Sequence, residues 1–357
     1  MDYDEILQRN PYEALHREKS KVYGQYLTEL TGYHREHCKP YERFLRTLGY
    51  QENVLFSEEE IPMVPIAAFK NMDLCSVPKE EIFKIVTSSG TAAGGISKIY
   101  LDAKTAANQQ KTLNKIVSDY IGERRIPLLI IDTKKVLKDR TMFSARGAGI
   151  LGFSIFASEK MYGLNEEMEL DVAGIQSFLA RHKGEPILVF GFTYLIWSYF
   201  YKALAEQGKT LEIPNGIMIH GGGWKKLEHE AVLPREFNEK IGAVSGIKTI
   251  SNYYGMAEQT GCIYMECPYG HLHASFFSDV ITRRADDFSP CAFGEKGILQ
   301  VLSLLPESYP GHSILTEDEG IILGEDDCPC GRKGKYFRIT SRIPQAQVRG
   351  CSDTYEG

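Results

Sequence analysis

The chain has 357 residues, 43% of them hydrophobic, which supplies a large core and excludes wholesale disorder. A net charge of −6, no apolar run of about eighteen residues and no leader pattern at Met1 give no reason to expect nucleic acid or membrane insertion, and a cytoplasmic protein is expected. Eight cysteines are spaced too unevenly for a disulfide scaffold and read as thiols or metal ligands.

Residues 1–50 are charged and helical in pattern. Leu15, Lys19, Val22, Tyr26 and Leu30 recur at spacings of three and four, Pro11 suits a helix start and Pro40 a break. His16, His34, His37 and Cys38 lie here and read as solvated side chains rather than a metal cluster. Ile61–Ile66 is held extended by its prolines. Ile82–Val86 and Ile99–Leu101 read as strands, and a helix runs from about Lys104 to Ile121. Strands follow at Leu128–Asp132, Pro186–Phe190, Gly216–His220 and Lys248–Tyr253. Between them lie a helix Val172–His182, capped by Asp171, and an aromatic-rich helix Thr193–Gln207, closed by Gly208. From Gly297 onward strands dominate, at Gly297–Leu305, Ser313–Leu315 and Gly320–Leu323.

Strands alternating with helices predict an α/β fold whose sheets are mostly parallel, with a β-rich C-terminal part. The expected organisation is a helical segment over 1–80, an α/β core over 81–305 and a β-rich part over 306–357. In such sheets ligands bind beyond the carboxyl ends of the strands.

Three stretches carry chemistry. The run from Thr87 to Lys98, which includes Ser88, Ser89, Gly90 and Thr91, joins two strands with small residues, hydroxyls, glycines and one lysine. Such a loop brings backbone N–H groups, hydroxyls and a point charge to a polyphosphate, although its spacing is not that of the P-loop. A surface Gly/Ser hairpin has the same composition. Gly221-Gly222-Gly223-Trp224-Lys225 opens after one strand and Tyr254-Gly255-Met256-Ala257-Glu258 after the next. An aromatic beside a glycine can stack on a purine, and a carboxylate three residues later can ligate Mg²⁺. A plain strand-to-helix junction reads the same way.

Together these stretches resemble the adenylate-forming superfamily of acyl-CoA synthetases and ligases. The resemblance implies that the Ser88–Lys98 loop holds the phosphates of ATP, that Gly221, Gly222 and Gly223 line the adenine pocket, and that Tyr254 stacks on adenine beside Gly255. Glu258 then binds Mg²⁺, Asp318 the ribose hydroxyls, with Glu317 able to do the same, and Arg342 closes over the ribose. Ala92, Ala93 and Ala257 replace hydroxyl residues of the family's pattern.

Phe69-Lys70, the Gly221–Lys225 run, Tyr309-Pro310-Gly311-His312 and Arg349-Gly350-Cys351 narrow the resemblance to the acyl-protein synthetases of the LuxE type. The larger members' C-terminal domain, which carries a lysine used in adenylation, is expected to be absent or truncated, and Lys225 or Lys98 are candidates to replace that lysine. The resemblance implies a carboxylic acid, fatty or aryl, activated as acyl-AMP. Cys351 then accepts the acyl group as a thioester and passes it to a partner protein or reductase, chemistry that a thiolate beside Arg349 can perform. A CoA ligase and a non-catalytic nucleotide-binding module are the alternatives. The apolar stretch Phe190–Tyr201 suits an acyl chain and equally a core helix.

Separately, Cys328-Pro329-Cys330 resembles a zinc knuckle, and Cys267 with His271 and His273 supplies a second pair of ligands. Zinc on Cys267, His273, Cys328 and Cys330, with His271 as the other imidazole, is expected to be structural.

Overall fold

The computed structural model describes residues 3–51, 54–88, 96–137 and 143–343, with the backbone alone at 143–145, 225 and 226. By packing, Val117–Tyr254 forms one unit, and the described residues up to Ile116 together with those from Gly255 onward form another.

The first of these units is built on parallel strands. Ala157–Tyr162, Ile126–Ile131, Ile187–Phe192, Gly216–Gly221 and Thr249–Tyr254 lie side by side in that order. Ile126–Ile131 and Ile187–Phe192 are buried along their whole length, as expected of continuous apolar runs covered on both faces. One face carries Leu129, Ile131, Val189 and Met218 against Ile175, Phe178, Phe200, Phe237 and Ile241. The helix Val172–Arg181 starts where Asp171 accepts the Gly174 N–H at 2.9 Å, the cap read from sequence.

The aromatic segment after Ile187–Phe192 is not one regular helix. Ile196–Lys202 is a π-helix between short α-helical turns, and Ile196, Trp197 and Phe200 join the core. Of the two readings of Phe190–Tyr201, the helical part is therefore core packing. Phe190 turns to the other face, stacked on Phe153 at 4.1 Å between ring centroids.

The other unit is antiparallel at heart. Ser278–Arg283, Lys296–Ser303, Ser313–Glu325, Lys335–Arg342, Leu272–His273 and Tyr264–Glu266 follow one another across its sheet. The two strands expected at 313–315 and 320–323 are one, running from Ser313 to Glu325. Its central acidic residues stay in the ladder because cations face them, Lys296 on Glu319 at 2.7 Å and Arg342 on Glu317 at 3.6 Å. Ile82–Thr87 and Lys98–Asp102 pair as a hairpin.

The N-terminal helices His16–His37 and Lys39–Thr47 meet at Cys38, with Pro40 in the first turn of the second. Their histidines correct the sequence reading. His34 is fully buried, its Nε2 donating to the Pro306 carbonyl at 2.9 Å and its Nδ1 bonded to the Ser76 hydroxyl at 2.7 Å. His16 joins a buried ionic cluster, 3.1 Å from Glu58, whose carboxylate also meets Lys335 at 3.0 Å. Cys38 is buried as well, and of these four side chains only His37 is exposed. A helix stripe shows which residues face one way, not how much sheet and loop will cover them. Among the described residues no helix is long and apolar enough to cross a membrane.

Candidate active site

The hairpin of Ile82–Thr87 and Lys98–Asp102 carries the phosphate-loop candidate at its open end. Ser88 and Ser97 close that end: the Ser88 N–H donates to the Ser97 carbonyl and the Ser97 N–H to the Ser88 hydroxyl, both at 3.2 Å. Lys98 stands opposite Thr87 with its side chain exposed. Ser89, Gly90 and Thr91 lie outside the described residues, as does Cys351.

Glu258 occupies a single turn of 3-10 helix, Ala257–Gln259, and is 4% exposed. Burial holds its carboxyl above the ordinary carboxylate value, and the charge of Glu317 adds to this. Its own N–H, the neighbouring Ser97 hydroxyl and the Arg342 guanidinium pull the other way. The base of the phosphate-loop hairpin and the carboxylate read as a magnesium ligand are thus neighbours. Spacing alone does not single out Ser97 within a loop of hydroxyls, because it does not say which one faces a partner about 160 residues away.

Asp318 and Glu317 lie on Ser313–Glu325, and Arg342 ends the neighbouring strand. Asp318 is the direct cross-strand partner of Arg342, with Nε 3.8 Å from Oδ1. Arg342 also reaches Glu317 at 3.6 Å, so the guanidinium serves both carboxylates. Burial and the charge of Asp318 hold Glu317 above the ordinary range, against the opposing pull of Arg342. A half-buried carboxylate pair with one arginine suits the recognition of sugar hydroxyls and a cation.

In the parallel unit, Gly221 ends one strand and Tyr254 the next. A Cβ on Gly221 would lie 2.7 Å from the Tyr253 ring, and one on Gly222 2.6 Å from Phe192. Gly222 and Gly223 have φ of +80° and +68°, a left-handed backbone that favours glycine. The run is glycine for reasons of backbone and space, and its N–H and C=O groups stand at the carboxyl ends of parallel strands. Gly255 and Met256 continue the chain as coil after Tyr254, while of Lys225 only the backbone is described.

The sulfur cluster assembles from two turns. Gly270 N–H bonds to the Cys267 carbonyl and Gly331 N–H to the Cys328 carbonyl, each at 2.9 Å, with φ of +75° and +88° at the glycines. Cys267 and Cys328 sulfurs are 4.0 Å apart, and Cys330 Sγ lies 3.3 Å from His273 Nε2. Ligand atoms of Cys267, His273, Cys328 and Cys330 all fall within 4.8 Å of one another, a donor set that fits tetrahedral zinc. His271 stands outside this set, its Nδ1 3.3 Å from Cys328 Sγ. Tyr336 stacks on both imidazoles. Burial, with Arg332 and His271 adding, lowers His273 to about 4, so its ring is a neutral ligand at neutral pH.

A profile of the acyl-protein synthetase family LuxE matches residues 2–356. The long-chain-fatty-acid–luciferin-component ligases of Vibrio harveyi and Aliivibrio fischeri are each 22% identical, over 98% of this chain and 91% and 92% of theirs. Among solved structures, an open conformation of 2-hydroxyisobutyryl-CoA ligase in complex with 2-HIB-AMP and CoA superposes with a TM-score of 0.71 at 16% identity. That match covers 94% of this chain and 77% of the ligase. ATP-bound MatB from Rhodopseudomonas palustris gives a TM-score of 0.50 at 17% identity, covering 75% and 49%. These likenesses establish the fold: an α/β core with parallel strands and a β-rich part, as expected from the sequence.

Proposed function

The chain belongs to the LuxE family of acyl-protein synthetases, and from that premise we propose an ATP-dependent ligase for a fatty acid. It joins the acid's carboxylate oxygen to the α-phosphorus of ATP, releasing pyrophosphate, and then transfers the acyl group to a thiol with loss of AMP. The observation that carries the assignment of residues is the meeting of the hairpin base, at Ser88 and Ser97, with the buried Glu258, beside Glu317 and Arg342.

On this reading Ser88, Ser89, Gly90, Thr91 and Lys98 hold the phosphates. Asp318 accepts the ribose hydroxyls and Arg342 orients it. Gly221–Gly223 and the Tyr254 ring receive adenine, with Gly255 giving the ring room to approach. Mg²⁺ fits at Glu258, a buried carboxylate whose charge a cation would compensate, where it would also neutralise charge on the phosphates. Lys225 and Lys98 remain the candidates for the cation that assists adenylation. Zinc at Cys267, His273, Cys328 and Cys330 takes no part in the chemistry and ties two turns together.

Cys351 is the proposed acyl acceptor, from which a partner protein or reductase takes the group. The thiolate attacks the carbonyl carbon of the mixed anhydride, the bond to AMP breaks, and the thioester keeps much of the activation. The acid's length is the open specificity, and the curated relatives' long-chain fatty acids are the first to try.

The test is exchange of labelled pyrophosphate into ATP over a panel of fatty and aryl acids, followed by acyl labelling of the protein. Exchange with long-chain acids, and a label cleaved by neutral hydroxylamine and lost in Cys351→Ser while exchange persists, is expected. Acyl transfer to CoA at the parental rate in that variant would make the protein a CoA ligase. No exchange with any acid would leave a nucleotide-binding module.

A further inference from the structure

The turn that presents Glu258 is locked by hydrogen bonds running both ways between two short segments. The Tyr309 hydroxyl donates to the Glu258 carbonyl at 2.8 Å. In return, the Gln259 side-chain amide donates to the Gly311 carbonyl at 2.9 Å and to the Val301 carbonyl at 3.1 Å. Tyr309 is 0% exposed and Gln259 2%, so neither bond competes with water.

The segment is shaped for this purpose. A Cβ on Gly311 would lie 2.2 Å from the Tyr309 ring and 3.0 Å from the Glu258 carbonyl, so only glycine lets the chain fold back over the tyrosine toward the turn. Phe69 meets Tyr309 edge-on, 6.3 Å between centroids, and keeps the ring from swinging. A three-residue turn has little hydrogen bonding of its own to fix the direction of its carboxylate. The anchoring therefore comes from the Tyr309–Gly311 segment.

We infer that Tyr309, with Gln259 and Gly311, is a positioning residue that aims the Glu258 carboxylate at the cation accompanying ATP. This rests on the reading of Glu258 as the cation's ligand. A hydroxyl fixing a backbone carbonyl one bond from the ligand's Cα removes the freedom that binding would otherwise have to freeze out.

Mn²⁺, followed by water-proton relaxation in the presence of α,β-methylene-ATP, reports cation binding without turnover. Tyr309→Phe, which removes one oxygen and keeps the ring, should weaken Mn²⁺ binding about fivefold, the weight of one buried hydrogen bond. It should raise the half-saturating Mg²⁺ in pyrophosphate exchange alike, with the rate recovered at high Mg²⁺ and the KM for ATP unchanged there. A merely structural tyrosine would lower thermal stability without moving the metal dependence, and that result overturns the inference. Gln259→Met provides a second variant with the same expectation should Tyr309→Phe fold poorly. Glu258→Gln separates the two claims. If it binds Mn²⁺ as the parent does, the cation reading falls. If it loses Mn²⁺ while Tyr309→Phe does not weaken it, only the positioning role falls.

Discussion

Asp318 faces Arg342 directly across an antiparallel ladder, and the same guanidinium reaches Glu317. The arginine thereby restrains both carboxylates and opposes the burial that holds Glu317 above the ordinary carboxylate range. Asp318→Ala should raise the KM for ATP by about tenfold or more, since hydrogen bonds to a charged acceptor contribute about 1.5–3 kcal/mol. Thermal stability should change little, because the strand keeps its backbone pairing. An unchanged KM would remove Asp318 from the nucleotide site.

The sulfur cluster predicts about one zinc per chain in protein purified without chelator, by mass spectrometry of the metal. Cys328→Ser and Cys330→Ser should each lose the metal and lower the melting temperature, while chelation of the parent should do the same reversibly. Metal-free parent of full stability would leave the four side chains as an unoccupied cluster of thiols and imidazole.

Asp132 and Arg146 form a buried, two-point ion pair, Nε donating to Oδ2 at 2.6 Å and the second guanidinium nitrogen to Oδ1. Removing one partner leaves a charge without compensation in the core. Asp132→Ala should cost about 3–5 kcal/mol in denaturant unfolding, and Asp132→Ala with Arg146→Met should recover much of it. A loss under about 1 kcal/mol would mean that water reaches Arg146.

His34 sets an acid limit on stability. Burial lowers it to about 3, and the Pro306 carbonyl only partly opposes this. Because the fold favours the neutral ring, the contribution is fully present above the ordinary value near 6.5. It is lost as pH falls from there toward about 3, by up to ~1.4 kcal/mol per unit. His34→Gln should unfold more easily at pH 7.5 yet show a shallower decline between pH 6.5 and 4.5. Parallel curves for the two proteins would assign the acid sensitivity to other groups, the buried His220 among them.

The amino-acid sequence by itself determined the parallel strands, the Asp171 cap, the two strands flanking the run from Thr87 to Lys98 and the glycine run. Each of these is a matter of neighbours within a few residues, where apolar period, capping chemistry and left-handed backbone act locally. It also brought the cysteine and histidine pairs to notice, because short turns hold such ligands close whatever the rest of the chain does. Tertiary structure decided the burial of His34 and the unbroken course of Ser313–Glu325, whose acidic middle reads as a loop until Lys296 and Arg342 are set against it. It likewise decided which hydroxyl of the loop meets Glu258, and that Tyr309 and Gln259 fix the turn beneath it. Those contacts join residues about 40 to 160 positions apart. Periodicity reports which way a side chain faces, and only the folded sheet determines what stands opposite.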